Sequence, residues 1–229
     1  MSLRRSAAAA LALLGLGSVG CFELGYLAQA TQGHLDLVCR TRSIDRALRD
    51  DGLSEAHREL LQEVAGIKAF AAASGLVPTP SYEDYVELER PVAVWVVSAS
   101  HPLRFEALRH AFPIVGSVPY LGYFAKADAE DFAEALRARG WDVHLRGARA
   151  YSTLGWFDDP VLSTMLFEGP EGPGELANTI LHESLHATLY VPSQSSFNES
   201  VASFVGDVLA ERWLAQRYGE DAEELRVYR

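Results

Sequence analysis

The sequence predicts an α+β chain with an N-terminal helical hairpin, a small mixed sheet and two helices at the C-terminal end. Three observations carry this reading. Apolar residues recur at helical spacing over residues 25 to about 50, and again after Ser54, where Leu60, Val64, Ile67 and Ala71 share one face. Short Val-rich or alternating runs, "PVAVWVV" and "WDVHLRG", occupy the middle. Two more helical stretches follow, one ending at Pro192 and one continuing from "SSFNES".

Each element has a local reason. Ser54 is a fitting N-cap for the second helix and Gly75 stands just past its end. Pro78 and Pro80 break the chain, and the valines that follow suit a buried strand. Residues 114 to 124 read as another strand, which Pro119 places at a sheet edge. Asp128 caps a helix that Gly140 stops. In "WDVHLRG" Trp141, Val143 and Leu145 alternate with Asp142, His144 and Arg146, so one face is solvated. "AYSTLGWFDDPVLSTML" is less regular and reads as a strand followed by a functional loop.

Bulk properties narrow the function. A chain of 229 residues with 48% hydrophobic content can bury a real core, so one domain spanning residues 21–229 is expected, its N-terminal helical part ending near residue 76. The net charge of −11 argues against a nucleic-acid partner, which would require a basic face. Residues 1–20 read as a signal peptide: Arg4 and Arg5 precede an apolar run too short to span a bilayer, and small residues lead into Cys21. This resembles a bacterial lipoprotein signal, with Ser18 in place of the usual Leu. It implies a lipid anchor at Cys21 and a bacterial envelope location, facing the periplasm or the exterior. Cys39 would then be the remaining thiol, and is expected to be a small buried residue on a helix.

The chemistry lies in "LANTILHESLHATLY". His182 and His186 stand one helical turn apart, so on a helix over residues 175–191 both imidazoles face one point. A catalytic zinc takes three protein ligands and keeps a fourth position open. Glu199, near the start of the next helix, can supply the third. It can also close an S-x-x-E capping box with Ser196, and the two roles compete for one carboxylate.

H-E-x-x-H followed by "FNESVA" resembles the gluzincin metallopeptidases. Together with "GYLAQATQGHLDLV", "FPIVGSVPYLGYF" and "AYSTLGWFDDPVLSTML", these segments resemble a bacterial zinc aminopeptidase family whose members often bear a lipoprotein-type signal. The resemblance implies a zincin-like fold and hydrolysis of peptide bonds through a metal-activated water. His182, His186 and Glu199 would hold Zn2+, Glu183 would be the general base, and Tyr151 would donate to the oxyanion. An aminopeptidase also needs an acid for the substrate's free amine, for which Glu168, Asp158 and Asp159 are candidates. Two departures stand out. Ser203 occupies the position where related enzymes carry an acid that orients a histidine, leaving Asp207 as the substitute. Family members usually continue with further helices, so Val208, Trp213 and Leu214 are expected to be only partly covered. The alternative function is a non-catalytic, metal-binding envelope lipoprotein.

Overall fold

The computed structural model describes residues 21–112, 116–151, 158–192 and 194–229. Their contacts divide the chain into two units that each draw on separate stretches, one from 1–38 and 94–147, the other from 39–93 and 148–229. An α+β architecture with small sheets results, with seven α-helices among the described residues.

In the first unit, helix α1 (Cys21–Arg40) accompanies a sheet in the order β6-β3-β7, formed by Val94–Ser100 (β3), Tyr120–Tyr123 (β6) and Asp142–Ala148 (β7). The hairpin of His110–Phe112 (β4) and Gly116–Val118 (β5) and helix α4 (Lys126–Ala138) complete it. β3 and β6 pair antiparallel, with Trp95 opposite Tyr123 and Ser98 opposite Tyr120. Pro119 separates β5 from β6, which does lie at the sheet edge; Ile114 falls outside the described residues. The core gathers Val97, Phe112, Leu121, Tyr123 and Leu136. α4 begins two residues before Asp128, at an Ala125 that offers no side-chain cap, and Asp128 sits in its first turn where its charge meets the positive helix end.

The second unit holds a mixed sheet of Arg42–Ser43 (β1), Asp84–Val86 (β2) and Val161–Leu162 (β8), with β2 antiparallel to β1 and parallel to β8. A short helix α2 (Ile44–Ala47) follows β1. Helix α3 (Glu55–Ala73) starts as its sequence requires, the Ser54 hydroxyl accepting from the His57 N–H at 3.2 Å. Helices α5 (Gly172–Thr188), α6 (Ser195–Tyr218) and α7 (Glu223–Tyr228) form the remainder, and α5 packs against α3, α6 and α7. Leu60, Leu61, Val64 and Ile67 of α3 and Leu176, Ile180 and Leu181 of α5 are buried. Each such side chain contributes roughly 1.5–3 kcal/mol.

The two N-terminal helices expected to form a hairpin belong to different units, with β1 following α1 in the chain. Three other expectations are corrected in whole or in part. Cys39 is exposed, its position on α1 facing away from the core. α5 ends at Thr188, before Pro192, because Leu189 adopts extended backbone. Trp213 and Leu214 are covered while Val208 is half-buried: the chain turns at Gly219 and lays α7 back over α5 and α6, with Leu225 fully buried.

At Gly206 α6 lies tightly against α5. A Cβ there would stand 3.0 Å from Asn178 Oδ1 and 3.3 Å from His182 Cβ. Gly206→Val should therefore force the helices apart and lower unfolding stability by about 1–3 kcal/mol, read from denaturant midpoints. An unchanged midpoint would show that the pair tolerates the added volume.

Candidate metal centre

The buried face of α5 carries Leu176, Ala177, Ile180, Leu181, Ser184 and Leu185, which leaves His182 and His186 beside that face with their imidazoles partly exposed. Four-residue spacing brings the two rings together edge to face, at an interplanar angle of 81°, and their Nε2 atoms lie 3.1 Å apart. Glu199, in the second turn of α6, reaches the same point. Its Oε2 is 3.5 Å from His182 Nε2 and its Oε1 3.6 Å from His186 Nε2. Two ligands about 2.1 Å from a tetrahedral zinc are separated by about 3.4 Å; the imidazole nitrogens lie near that spacing at 3.1 Å, and one carboxylate oxygen of Glu199 faces each of them. This is a cluster of metal-ligating side chains among the described residues whose donor atoms all approach within 4.8 Å, and it fits a divalent ion.

What rotates Glu199 into place is Asn198. This side chain is buried, and its amide pairs both ways with Val191: Oδ1 accepts the Val191 N–H and Nδ2 donates to the Val191 carbonyl, each at 2.9 Å. The segment after α5 is thereby tied to the first turn of α6. Thr188 adds a second tie, donating to the Ser184 carbonyl at 2.8 Å and accepting the Val77 N–H at 2.9 Å. The capping box does not form. α6 begins at Ser195 with Gln194 as an N-cap lacking a side-chain bond, so Ser196 and Glu199 both stand inside the helix and the carboxylate is free to face the histidines.

The three groups hold one another electrostatically. The facing His182 and His186 imidazoles draw the Glu199 carboxyl down to about 2, against the upward push of partial burial. Glu199 in turn raises His186, with burial opposing and Glu183 adding to the rise.

Glu183 is half-buried beside the first histidine, and its charge is felt by a residue the sequence did not single out. Tyr82 is 4% exposed, and its hydroxyl is held well above its usual range, first by burial and then by the negative charges of Glu183 and Asp159. Its φ of 65° lies in the left-handed region, which costs a non-glycine residue on the order of 1–2 kcal/mol. Neighbouring bonds hold it there. The Tyr82 N–H donates to the Asp159 carbonyl at 2.7 Å, and the Asp159 N–H donates to Ser81 Oγ at 3.2 Å. Lys68 Nζ donates to the Ser81 carbonyl at 2.7 Å and to Glu83 Oε1 at 3.0 Å. Pro78 and Pro80 announced a chain break at this place, but nothing in the local sequence announced a strained tyrosine.

Of the three acids proposed for an amine, Asp159 is buried and acts on Tyr82, whereas Asp158 and Glu168 are exposed. Tyr151 is half-buried and outside any helix or strand; residues 152–157, where the strand after it was expected, fall outside the described residues. Ser203 is exposed. Asp207 accepts from Asn178 Nδ2 at 2.6 Å, and Asn178 Nδ2 also lies 2.6 Å from the Tyr228 hydroxyl, so that acid supports the α5–α6–α7 contact one turn before His182.

Two histidines and a carboxylate at metal-ligand spacing, with a second carboxylate one residue from the first histidine, define a class of metal-binding sites built on paired helices. The model of the family described as "Putative aminopeptidase" matches residues 25–228, and the chain belongs to that family. No curated protein and no solved structure matches the chain.

The shielding of Tyr82 has a consequence in alkali. A tyrosine raised in the folded state keeps its proton while the unfolded chain ionises above about pH 10, so its stabilising effect is full below that pH and is lost as pH rises past it. Between about pH 8 and about pH 11 the parent's denaturant midpoint should fall, and that of Tyr82→Phe should fall less. Equal falls would show that Tyr82 ionises freely.

Proposed function

We propose that this chain is a zinc-dependent peptidase of zincin-like fold, acting as an aminopeptidase. The convergence of His182 Nε2, His186 Nε2 and a Glu199 carboxylate oxygen carries the reading. Membership of the aminopeptidase family supports the peptide substrate. A divalent ion held by these three residues supplies a Lewis acid for the scissile carbonyl and acidifies water. Glu183 is not one of the three. One position beyond His182, its carboxylate takes the proton of the attacking water and returns it to the leaving amine. Tyr82, near enough for the charge of Glu183 to act on it, keeps an un-ionised hydroxyl and so adds no second negative charge there. Tyr151 is the proposed donor to the oxyanion, and Asp159 is the acid best placed to meet a substrate ammonium, since its charge and that of Glu183 act on the same tyrosine.

The same reading places the protein in the bacterial envelope, held to the membrane by a lipid on Cys21. No described helix is long and apolar enough to cross a membrane.

Two substitutions separate the roles, with bound metal and hydrolysis measured on peptides with free and with blocked N-termini. Glu199→Gln exchanges an anionic ligand for a weak neutral one and should lower zinc affinity at least about tenfold. Glu183→Gln should keep the zinc and lose hydrolysis by about a hundredfold or more. Should Glu199→Gln retain parental zinc affinity, the third ligand lies elsewhere. A parent that binds zinc and cleaves no peptide would favour the non-catalytic metal-binding lipoprotein.

A further inference from the structure

The first unit has an end at which the start of α1 and a pair of fully exposed apolar side chains coincide. α1 runs alongside β6: the Tyr26 hydroxyl accepts the Gly122 N–H at 3.3 Å, Gln29 Nε2 donates to the Gly122 carbonyl at 3.1 Å, and Gly33 lies against the Phe124 ring. Going from Tyr26 to Gly33 thus follows β6 from Gly122 towards Phe124. Cys21, five residues before Tyr26, lies about 7.5 Å beyond that level in the opposite direction. β3 is antiparallel to β6, with Val96 opposite Gly122, so it runs towards the Cys21 end. Ser100, four residues past Val96, is about 13 Å further along.

Beyond Ser100 the strand becomes a tight hairpin tip. Ser100 bridges Ala107, the Leu108 N–H donates to the Ala99 carbonyl at 2.8 Å, and the His101 N–H donates to the Glu106 carbonyl at 3.0 Å. Inside it the Arg104 N–H donates to the His101 carbonyl at 3.2 Å. On this braced turn Leu103 is 89% exposed and Phe105 is fully exposed. Tyr120, at the start of β6 and 48% exposed, stands at the same end. Arg104 stands between Leu103 and Phe105, 3.4 Å from Glu106, and Arg109 follows the tip, in a chain whose net charge is −11. Arg109 is fixed by bonds to Ser117 Oγ at 2.9 Å and to its carbonyl at 2.7 Å.

We infer that residues 101–106 form a membrane-contacting tip, in which Leu103 and Phe105 enter the interface of an anionic phospholipid bilayer beside the anchored Cys21. The inference rests on the reading of Cys21 as a lipid attachment site. A convex six-residue tip offers far less than the roughly 800 Å² per partner of a specific protein interface, but two apolar side chains suffice to seat in an acyl boundary. An aromatic ring and flanking arginines are the residue types favoured at that depth and at an anionic surface.

The test uses the full-length chain on vesicles of phosphatidylethanolamine and phosphatidylglycerol, with hydrogen exchange read peptide by peptide. The parent should show protection of residues 101–106 at least about fivefold above that of Leu103→Asp/Phe105→Asp on the same vesicles, after correction for intrinsic rates. Exchange in α4 should be the same in both, which establishes that the variant is folded; Leu103→Ser/Phe105→Ser replaces it if α4 is disturbed. Equal protection at 101–106 on bound vesicles overturns the inference, as does a parent that does not bind them. The mass of the peptide bearing Cys21 tests the anchor separately. Tip protection without an added acyl mass would sink the anchor and leave the tip standing.

Discussion

The paired amide of Asn198 and the backbone of Val191 is the constraint on which the candidate site depends. Two histidines on one helix need nothing but their spacing to face a common point. A third ligand from another helix must arrive with the right rotation, and a helix is free to rotate unless something holds its first turn. Asn198 does so from a buried position, with both polar ends of its amide bonded to the segment it must hold. A neighbouring glycine completes the arrangement: Gly206 lets α6 lie close enough for Glu199 to span the gap to both imidazoles. Candidate ligand, tether and clearance therefore come from one helix within nine residues.

A second constraint sets the surroundings of Glu183. Tyr82 sits in a backbone conformation that an L-residue avoids, and it remains there because Ser81, Asp159 and Lys68 bond the strained turn from several directions. Strain of this kind persists where the surrounding structure over-determines it, and it gathers at functional sites. Here it brings a phenol from a distant part of the sequence within the electrostatic reach of the proposed base. The cost in backbone energy is modest beside what a loose, hydrated base would lose in control of its proton.

The parts of this arrangement that could be read from the sequence are those governed by local spacing. His182 and His186 are four apart, and Ser54 is followed by a helix, so both followed from periodicity and capping. Glu199 was legible as a candidate, but only the position of the first turn of α6 separated ligand from cap, and that depends on where the chain leaves α5. Asn198 and Tyr82 escaped because their roles rest on partners defined by tertiary folding, Val191 across a turn and Asp159 some eighty residues away. The same limit explains the N-terminal helices. Periodicity showed that α1 and α3 are helices with apolar faces, but could not show that those faces join different units. Trp213 and Leu214 followed suit, since the helix that covers them lies past a turn at Gly219.

The interleaving of the two units also governs the order in which the protein can mature. β2 pairs with β8 across more than seventy residues, Tyr85 opposite Val161 and Val86 opposite Leu162, and the sequence between them contains most of the other unit. Contacts of such high separation close late, because the loop between them must first be brought together. A chain emerging from its amino end can assemble much of the first unit before the second has its partner strand or its histidines. A nascent fragment ending before the final third lacks both β8 and the three residues of the candidate metal cluster.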